Sequence, residues 1–435
     1  MKICGIISEF DPFHNGHSYL IDSVRAKKGA DAVVCVMSGD FTQRGAPAIA
    51  DKFIRAEAAV RGGADLVLEL PFCYAVNGAG EFAKGGIRIL KGLGCIDALA
   101  FGSESGDAQA LMSAARLLAE ESASFSEELK KGLSRGLPYP ESYALAAQAF
   151  GIGLYGGSSP NDVLACEYLK QCVLQGFEPE VLCVRREGAA HGSGDAERAS
   201  ACRGKDVTIS CGGSKGSNSE IVKGRSIVSA SAIRKTISEA EGPDEALRAI
   251  ASFIPEESLD ALQKGKLWDS ACGDRLFSLL RHELMRRSSA ELANILEAGE
   301  GIESRLKKSL QSANDTDSLI LGTKTKRYTY VRISRMLMQL LAGMTKDRYA
   351  VIDGEKTAYA RVLAFSDTGA AVLRTASDSA DIPIYTNLNK KRPERESEKL
   401  SLDPDVLASD IYSNLTGKKI YDGSDLTCNP IIVRI

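Results

Sequence analysis

Apolar runs alternate with amphipathic stretches along the first hundred residues. Four mainly apolar runs predict strands buried in a parallel sheet, and they occupy residues 2–7, 31–37, 64–72 and 95–102. Apolar positions at helical spacing predict helices over residues 17–28, 51–61 and 81–90. Because strand and helix alternate strictly, the pattern predicts an α/β fold with a doubly wound parallel sheet and right-handed crossovers.

Functional residues in such a fold are expected where the strands end. Active sites of doubly wound domains lie at the carboxyl ends of the strands. The segments that follow the four strands are SEFDPFHNGH, SGDFTQRGAPA, PFCYA and GSESGD. These loops are therefore the first candidates for chemistry.

The middle of the chain combines helices with one more strand. Helical material is predicted over residues 107–148, a helix begins at Pro160, and residues 180–188 form a further strand and its exit. Residues 188–225 are rich in glycine and serine and predict a long mobile loop. A helix with serines at its start follows in SIVSASAIRKTISEA.

The character of the sequence changes after Gly242. Residues 246–345 show helical periodicity, and the rest of the chain adds two strand-like runs, YARVLAF and AAVLRTA. We therefore predict two domains, the first over residues 1–241 and a second, mainly helical one over residues 242–435.

Composition narrows the class of protein. Apolar residues make up 44% and charged residues 26% of the chain, which is typical of a soluble globular protein. The net charge of -3 means that nucleic-acid contact needs a local basic patch. No apolar run is long enough to cross a bilayer, and the first strand begins too early for a secretory leader. The 11 cysteines include no C-x-x-C pair, which favours a reducing cytoplasm over a disulfide framework.

Two of the four histidines, His14 and His17, lie where the first strand gives way to a helix. A zinc pair is one interpretation, but no third ligand or H-E-x-x-H pattern accompanies it. Helix capping is a second. We favour phosphate binding, because a helix N-terminus near Asn15 offers unpaired N–H groups and two imidazoles can donate to phosphate oxygens. Gly16 between them would let a ligand approach the backbone.

The stretch HNGH after a first strand resembles the H-x-G-H motif of the nucleotidyltransferases, which adenylylate substrates with ATP. Three longer stretches, EFDPFHNGHSYLI, MSGDFTQRGAPAIADKFIRAEAAVRGGADLVLELPFCYA and FGSES, closely resemble the tRNA(Met) cytidine acetate ligase family. The resemblance implies a Rossmann-like first domain and a two-step ligation. ATP and acetate give acetyl-adenylate and pyrophosphate. The N(4) amine of the wobble cytidine of elongator tRNA(Met) then takes the acetyl group, which gives N(4)-acetylcytidine.

The resemblance also assigns residues, with His14 and His17 as the catalytic pair on the phosphates. The matching ATP-binding stretch comprises Ile7, Ser8, Glu9, Phe10, Asp11, Pro12, Phe13, His14, Asn15, Gly16, His17, Ser18, Tyr19 and Leu20. Further implied ATP contacts are Gly102 beside the adenosine, Asn161, Arg185, Arg186, and Ser229, Ser231 and Arg234 of a second phosphate motif, SASAIRK. Without that context, the arginine pair fits a solvated strand end and the serines an ordinary N-cap.

A polar block follows the second strand. It contains Asp40, Gln43, Arg44, Asp51, Lys52 and Arg55. We take Asp40, Gln43 and Arg44 as candidates for a pocket that holds acetate or cytidine. Helix capping and surface ion pairs are the alternative interpretation.

A basic run with no acidic residue spans residues 318–346. Its cations are Lys324, Lys326, Arg327, Arg332, Arg335 and Lys346. Apolar residues at helical spacing would face the core and leave Arg332 and Arg335 on another face. Tyr328 and Tyr330 would be available to stack on unpaired bases. We take the first five cations as candidate tRNA contacts, with a solvated helix face as the alternative.

The leading hypothesis is therefore an acetate ligase whose partners are acetate and elongator tRNA(Met). The alternatives are a small-molecule adenylyltransferase of the same superfamily and a catalytically inactive RNA-binding relative. ATP would be a substrate, and Mg²⁺ would come with the nucleotide, because the sequence shows no carboxylate cage for it. No metal site of the protein itself and no membrane contact are expected.

Overall fold

The computed structural model describes residues 1–120, 123–137, 139–152, 160–186, 226–299, 301–419 and 425–434. Within these ranges, eight strands form one sheet. The strands are β1 (Ile3–Ser8), β2 (Ala32–Ser38), β3 (Leu66–Leu70), β4 (Ala98–Ser103), β5 (Glu180–Arg185), β6 (Ala360–Phe365), β7 (Ile384–Tyr385) and β8 (Ile431–Ile432). The predicted loop over residues 188–225 lies outside the described residues.

Five parallel strands form the centre of the sheet in the order β5-β4-β1-β2-β3. Every residue of β2 is buried. Its side chains alternate between two apolar clusters, with Val34 and Val36 in one and Val33 and Cys35 in the other. A strand covered on both faces is what an uninterrupted apolar run predicts, so the doubly wound α/β fold is confirmed.

Helices fill the connections between the strands. In the first half they are α1 (Asn15–Lys28), α2 (Lys52–Arg61), α3 (Phe72–Ala75), α4 (Ala79–Gly92), α5 (Ala108–Glu120), α6 (Ala123–Ser134), α7 (Tyr139–Ala149), α8 (Pro160–Gln175) and α9 (Ala230–Glu239). In the second half they are α10 (Pro243–Ile250), a 3₁₀ turn (Ala251–Phe253), α11 (Glu256–Lys264), α12 (Ser270–Arg286), α13 (Ser289–Ala293), α14 (Ile302–Leu310), α15 (Thr316–Thr323), α16 (Tyr330–Leu341), α17 (Lys346–Gly354), α18 (Asp367–Ser379) and α19 (Glu396–Leu415).

One predicted strand is wrong. The run AAVLRTA lies inside α18, not in the sheet. Ser366 caps this helix by accepting a hydrogen bond from the Gly369 amide. Val372 and Ala376, four residues apart, form its buried face. A short apolar run does not separate strand from helix, and here the N-cap decides.

The sheet continues into the second predicted domain. β6 pairs antiparallel with β3, and β7 and β8 both pair with β6. Residues beyond 358 therefore complete the sheet that the first strands begin. The division of the chain at residue 241 stays a prediction, and the shared sheet limits any independence of the two parts.

A buried cluster of charged side chains fastens the end of the chain to the sheet. Lys52 is 0% exposed, and its Nζ lies 2.7 Å from Glu69 Oε1 and 2.5 Å from Asp425 Oδ2. Arg361 of β6 is equally buried, with its Nε 3.5 Å from Asp425 Oδ1. Burial raises the pKa of Asp405 beside them to about 7. Burying charges is costly unless they are paired, so this cluster depends on all its members.

Two smaller expectations concern cysteines and membranes. The nine cysteines among the described residues are all free thiols. Burial raises the pKa of Cys35 above its usual value and that of Cys4 to about 12, so these thiols are inert. No helix within the described part of the chain has the length and apolar character needed to span a bilayer.

Candidate active site

A cleft that is open to solvent lies at the carboxyl edge of the parallel strands. The ends of β1, β4 and β5 and the starts of α1, α8 and α9 form its walls. It brings together residues that are far apart in the sequence. Those predicted from the sequence that line it are Ile7, Ser8, Glu9, Phe10, Asp11, His14, Gly16, His17, Tyr19, Leu20, Gln43, Arg44, Gly102, Asn161, Arg185, Arg186, Ser229, Ser231 and Arg234.

His14 and His17 form a capping box at the start of α1. His14 is the N-cap, and its Nδ1 accepts a hydrogen bond of 3.0 Å from the Gly16 amide. The Nδ1 of His17 accepts a bond of 3.3 Å from the His14 amide. The two rings stack with their centroids 3.9 Å apart. The capping interpretation is therefore correct for one edge of each ring.

These caps also prepare the opposite edge for a ligand. Because Nδ1 is an acceptor in both rings, the proton of each neutral imidazole sits on Nε2, which is then a donor. The Nε2 of His17 lies 3.4 Å from Ser8 Oγ at the cleft wall. Capping and phosphate binding thus use different nitrogens of the same rings and do not exclude each other.

Both histidines are neutral in the free protein. Burial lowers the pKa of His14 to about 3, assisted by the charges of Arg186 and Arg234. Burial, His14 and Arg186 hold the pKa of His17 well below its usual value. Polyanion binding would raise both pKa values, because negative charge favours the imidazolium form. Both rings are therefore uncharged near neutral pH.

Gly16 lines the cleft, and the structure adds a local reason for a glycine at this position. A Cβ at this position would lie 2.9 Å from His14 Cε1 and 3.0 Å from its Nδ1. The missing side chain thus lets the His14 ring fold back over the first turn of α1. A similar local reason holds at Gly102, where a Cβ would lie 3.3 Å from Arg186 Cγ.

A second helix N-terminus meets the first at the cleft. Ser229 caps α9 by accepting a bond of 3.2 Å from the Ala232 amide. Arg234, one turn further along, donates a 2.7 Å bond to the carbonyl of Asp11. Its guanidinium also lies 3.5 Å from Asp11 Oδ2. Two helix N-termini and an arginine around one space favour the binding of anionic groups.

Arg186 lines the other side of the cleft, after β5. Its Nη1 donates to Asn161 Oδ1 at 3.4 Å, and Asn161 Nδ2 donates to Glu104 Oε1 at 2.5 Å. Glu104 also accepts the Asp162 amide at the start of α8. This chain of hydrogen bonds orients Asn161 and Arg186 toward the same space. Glu104 escaped the sequence predictions, because no motif marks a carboxylate that orients another side chain.

Comparison with known proteins assigns the chain to a family. A family model described as HIGH Nucleotidyl Transferase matches residues 1–205 and 203–425. The tRNA(Met) cytidine acetate ligase of Clostridium perfringens (strain ATCC 13124) is 32% identical over 444 residues, which cover 100% of both chains. That of Acetivibrio thermocellus is 34% identical and covers 95% of this chain and 94% of its own. The chain belongs to the tRNA(Met) cytidine acetate ligase family.

Solved structures agree with this family assignment. Thermotoga maritima TmcAL bound with alpha-thio ATP superimposes with a TM-score of 0.83 at 26% identity, and the match covers 100% of both chains. The apo form of the same protein gives 0.84 at 27% identity. The match therefore includes the last strands of the sheet as well as the first.

Four predicted ATP-binding residues do not line the cleft. They are Pro12, Phe13, Asn15 and Ser18. Phe13 is buried in an apolar cluster, and the Asn15 side chain donates to the carbonyls of Ser226 and Ser252, each at 3.0 Å. Asn15 thus ties the start of α1 to the segment before α9. These residues support the loop around the histidines from behind.

The polar block after β2 divides into two groups. Gln43 and Arg44 line the cleft, as predicted for a substrate pocket. Asp40 is buried outside it, where its Oδ1 accepts the Lys52 amide and its Oδ2 accepts Ser409 Oγ, both at 2.8 Å. For the rest of the block, the alternative holds in part, because Asp51 caps α2 while Lys52 and Arg55 are fully buried. Asp40 is therefore corrected from a pocket residue to a structural one.

Apolar side chains form part of the cleft that the sequence did not reveal. They are Ile6, Phe82, Phe101, Leu164, Tyr168, Val184, Ile227 and Ala230. Each belongs to an ordinary apolar pattern of a strand or helix. Only the packing of the elements shows which of them reach the ligand space.

Several side chains of the basic run over residues 318–346 make contacts within the protein that the sequence does not reveal. Arg335 pairs with Glu297 at 2.7 Å, and Arg332 lies over the Tyr328 ring, 4.2 Å from its centroid. Tyr328 itself is buried and donates to the Gly299 carbonyl at 2.6 Å, and Tyr330 donates to Asp317. The expectation that Tyr328 stacks on bases is therefore wrong. Lys324, Lys326 and Arg327 are exposed.

No group of three or more histidine, cysteine or acidic side chains with metal-binding geometry occurs among the described residues. The zinc interpretation of His14 and His17 thus gains no further ligand within that part of the chain. The geometry of the two rings, stacked with their Nδ1 atoms engaged in capping, also differs from a pair that converges on one ion.

Proposed function

We propose that this protein is a tRNA(Met) cytidine acetate ligase, which activates acetate with ATP and acetylates N(4) of the wobble cytidine of elongator tRNA(Met). The observation that carries the proposal is the cleft, where two helix N-termini meet and His14, His17 and Arg234 line one space. The family relationship over the full length of the chain names the substrates.

In the first step, a carboxylate oxygen of acetate attacks the α-phosphorus of ATP and pyrophosphate leaves. Negative charge then grows on the phosphate oxygens. The neutral Nε2–H groups of His14 and His17 and the N–H groups at the start of α1 donate to them as it grows. Arg234, with the start of α9, holds the leaving pyrophosphate. No covalent intermediate with the protein is needed.

In the second step, the cytidine amine attacks the acetyl carbon and AMP leaves. Acyl-adenylate is a mixed anhydride with a good leaving group, so positioning supplies much of the rate. Gln43 and Arg44 line the same cleft, and we assign them to the acetyl and cytidine end. Asn161, Arg185 and Arg186, next to Gly102, hold the nucleoside end.

We also propose that Mg²⁺ accompanies the ATP. The described residues provide no cage of three ligands, while Mg²⁺ commonly binds through substrate phosphates and water. Bound there, the ion neutralises phosphate charge. The carboxylates of Glu9 and Asp11 are the acidic groups on the cleft wall.

The direct test is incubation with labelled acetate, ATP and bulk tRNA, followed by nucleoside analysis. We expect label in N(4)-acetylcytidine and formation of AMP and pyrophosphate. Label in a small molecule and none in tRNA would favour a small-molecule adenylyltransferase. Acetate-independent RNA binding with no ATP consumption would favour an inactive relative.

We further propose that residues 242–435 bind the tRNA and that the enzyme works in the cytoplasm, where ATP and tRNA are available. The exposed cations Lys324, Lys326 and Arg327 stand at the start of the basic run and are the first contacts to test. Arg332 and Arg335 would serve the same surface through a guanidinium held by Tyr328 and Glu297.

The double substitution Lys324→Ala/Lys326→Ala tests this surface. We expect a higher KM for tRNA and a salt dependence of tRNA binding that is lower by about two charges, because each phosphate contact releases counterions. Acetate-dependent ATP–pyrophosphate exchange should change far less. The matched control is Lys390→Ala/Arg392→Ala, which removes two exposed cations elsewhere. Equal effects of the two double variants would contradict the assignment.

A further inference from the structure

Glu9 lines the cleft, and one of its carboxylate oxygens has no hydrogen bond from the residues that the structure describes. Among the described residues, the hydrogen bond to this side chain is a 2.6 Å bond from the Gln43 amide to Oε1, which leaves Oε2 without one. In Asp11, the other acidic residue of the cleft wall, both carboxylate oxygens already have partners. Asp11 Oδ1 accepts the Ile49 amide at 2.8 Å, and its Oδ2 lies 3.5 Å from Arg234.

Glu9 stands between the two ends of the proposed reaction. Its neighbour Ser8 places Oγ 3.4 Å from His17 Nε2, on the phosphate side. Its own carboxylate bonds the loop of Gln43 and Arg44, on the acetyl side. Arg55, which is fully buried, donates to the Glu9 carbonyl at 2.8 Å and fixes the backbone there. The Glu9 carboxylate thus lies between the residues that we assign to the phosphate end and those that we assign to the acetyl end.

We propose that Glu9 is the general base of acetyl transfer, which accepts the proton of the cytidine N(4) amine through Oε2. This assignment rests on the proposed function. The N(4)–carbon bond forms, the bond between the acetyl carbon and the phosphate oxygen breaks, AMP leaves with that electron pair, and the amine proton passes to Oε2. No other co-reactant is needed. An exocyclic amine must lose this proton to give the neutral amide.

The electrostatic surroundings suit such a base. Burial and the neighbouring Asp11 raise the pKa of Glu9, while Arg44, the Gln43 amide and Arg234 act in the opposite direction. Tyr168 also lies close, since the charge of Glu9 contributes to the raised pKa of its hydroxyl. A base with a pKa nearer to neutrality accepts a proton more readily. Only ionised Glu9 can accept, so the transfer rate should rise with pH through this raised pKa and then level off.

The test compares Glu9→Gln and Glu9→Asp with the wild-type protein. Acetate-dependent ATP–pyrophosphate exchange reports the first step, and acetylation of tRNA in a single turnover reports the second. In Glu9→Gln we expect transfer to fall about a hundredfold more than exchange, because general bases contribute on this scale. The rising limb of the transfer pH profile should disappear. Glu9→Asp keeps a carboxylate and should keep that limb at a reduced rate.

Two results would overturn the assignment. An equal loss of exchange and transfer in Glu9→Gln would place Glu9 in ATP binding alone, and a pH limb that persists in this variant would assign the proton to another group. Thermal melting of both variants separates these results from misfolding. A loss of activity that is caused by misfolding would come with a lower melting temperature of the variant that shows it. Failure of the wild-type protein to form acetylcytidine would instead reject the proposed function, and the assignment of Glu9 with it.

Discussion

Replacing His17 by alanine is expected to lower acetate-dependent ATP–pyrophosphate exchange by about a hundredfold or more, because one donor to the developing phosphate charge is lost. The ring nitrogen concerned is Nε2, which lies at the cleft wall. Exchange measured with labelled pyrophosphate isolates the first step from any defect in tRNA binding.

The alanine variant alone does not separate catalysis from folding, because His17 Nδ1 also caps α1. His17→Asn resolves the two roles. The asparagine amide ends near the position of Nδ1, so it can still accept the His14 amide, but it does not reach the position of Nε2. We expect His17→Asn to melt close to the wild-type temperature and still to lose exchange almost as fully as His17→Ala. Loss of the cap costs about 1 kcal/mol, which only the alanine variant should show.

The control for both variants is His282→Ala. His282 is exposed on α12, far from the cleft in sequence and absent from its lining. Normal exchange in His282→Ala together with normal exchange in His17→Asn would show that His17 is a structural cap and nothing more. A loss confined to the His17 variants would support the phosphate role.

Local signals explain why much of this site could be predicted from the sequence. The strand run before His14, the helix start at Asn15 and the spacing of two histidines around Gly16 all lie within one short stretch. Backbone geometry turns such spacing directly into position at the sheet edge. The contact between Gly16 and the His14 ring could not be predicted, because it depends on the rotamer of His14, which the sequence does not specify.

The sequence-based predictions were wrong where residues distant in the sequence determine the surroundings of a side chain. The basic run contains no acid of its own, yet Glu297 reaches Arg335 from 38 positions away. Tyr328 reads as an exposed aromatic in a polar stretch, but the Gly299 carbonyl accepts its hydroxyl in the interior. The sequence predicts that Asp40 is a pocket residue, but its Oδ2 accepts a hydrogen bond from Ser409 of α19. Pairing at this separation leaves no periodic trace in a single sequence.

Lys52 is another residue whose surroundings depend on a distant segment, because its partner Asp425 lies 373 positions away in the sequence. Burial alone would lower the pKa of Lys52, but Asp425 and Glu69 raise it above its usual value, so the side chain is charged. Burial raises the pKa of Glu69 well above its usual value, while Lys52 acts against that rise. The cation therefore holds two carboxylates in a place from which water is excluded.

Substituting Lys52 by methionine is expected to lower the free energy of unfolding by about 3–5 kcal/mol, because it leaves buried charge uncompensated. Lys264→Met is the matched control. Lys264 pairs with Glu57 at 2.5 Å but is half exposed, and a surface pair contributes about 1 kcal/mol or less. Urea titrations of both variants measure the difference. Similar losses in the two would show that the buried cluster adds nothing beyond a surface pair.

The pH dependence of Lys52→Met distinguishes lost charge from lost packing. Without the cation, the pKa of Glu69 in the folded state should rise further above its value in the unfolded chain. The folded variant then binds protons that the unfolded chain does not, so its stability falls as pH increases. We expect the loss relative to wild type to be larger at pH 8 than at pH 5, and Lys52→Met/Glu69→Gln to recover part of it. A loss of stability that is independent of pH, with no recovery in the double variant, would assign the effect to packing of the lysine side chain. Packing, and not charge pairing, would then hold the segment of Asp425 against the sheet.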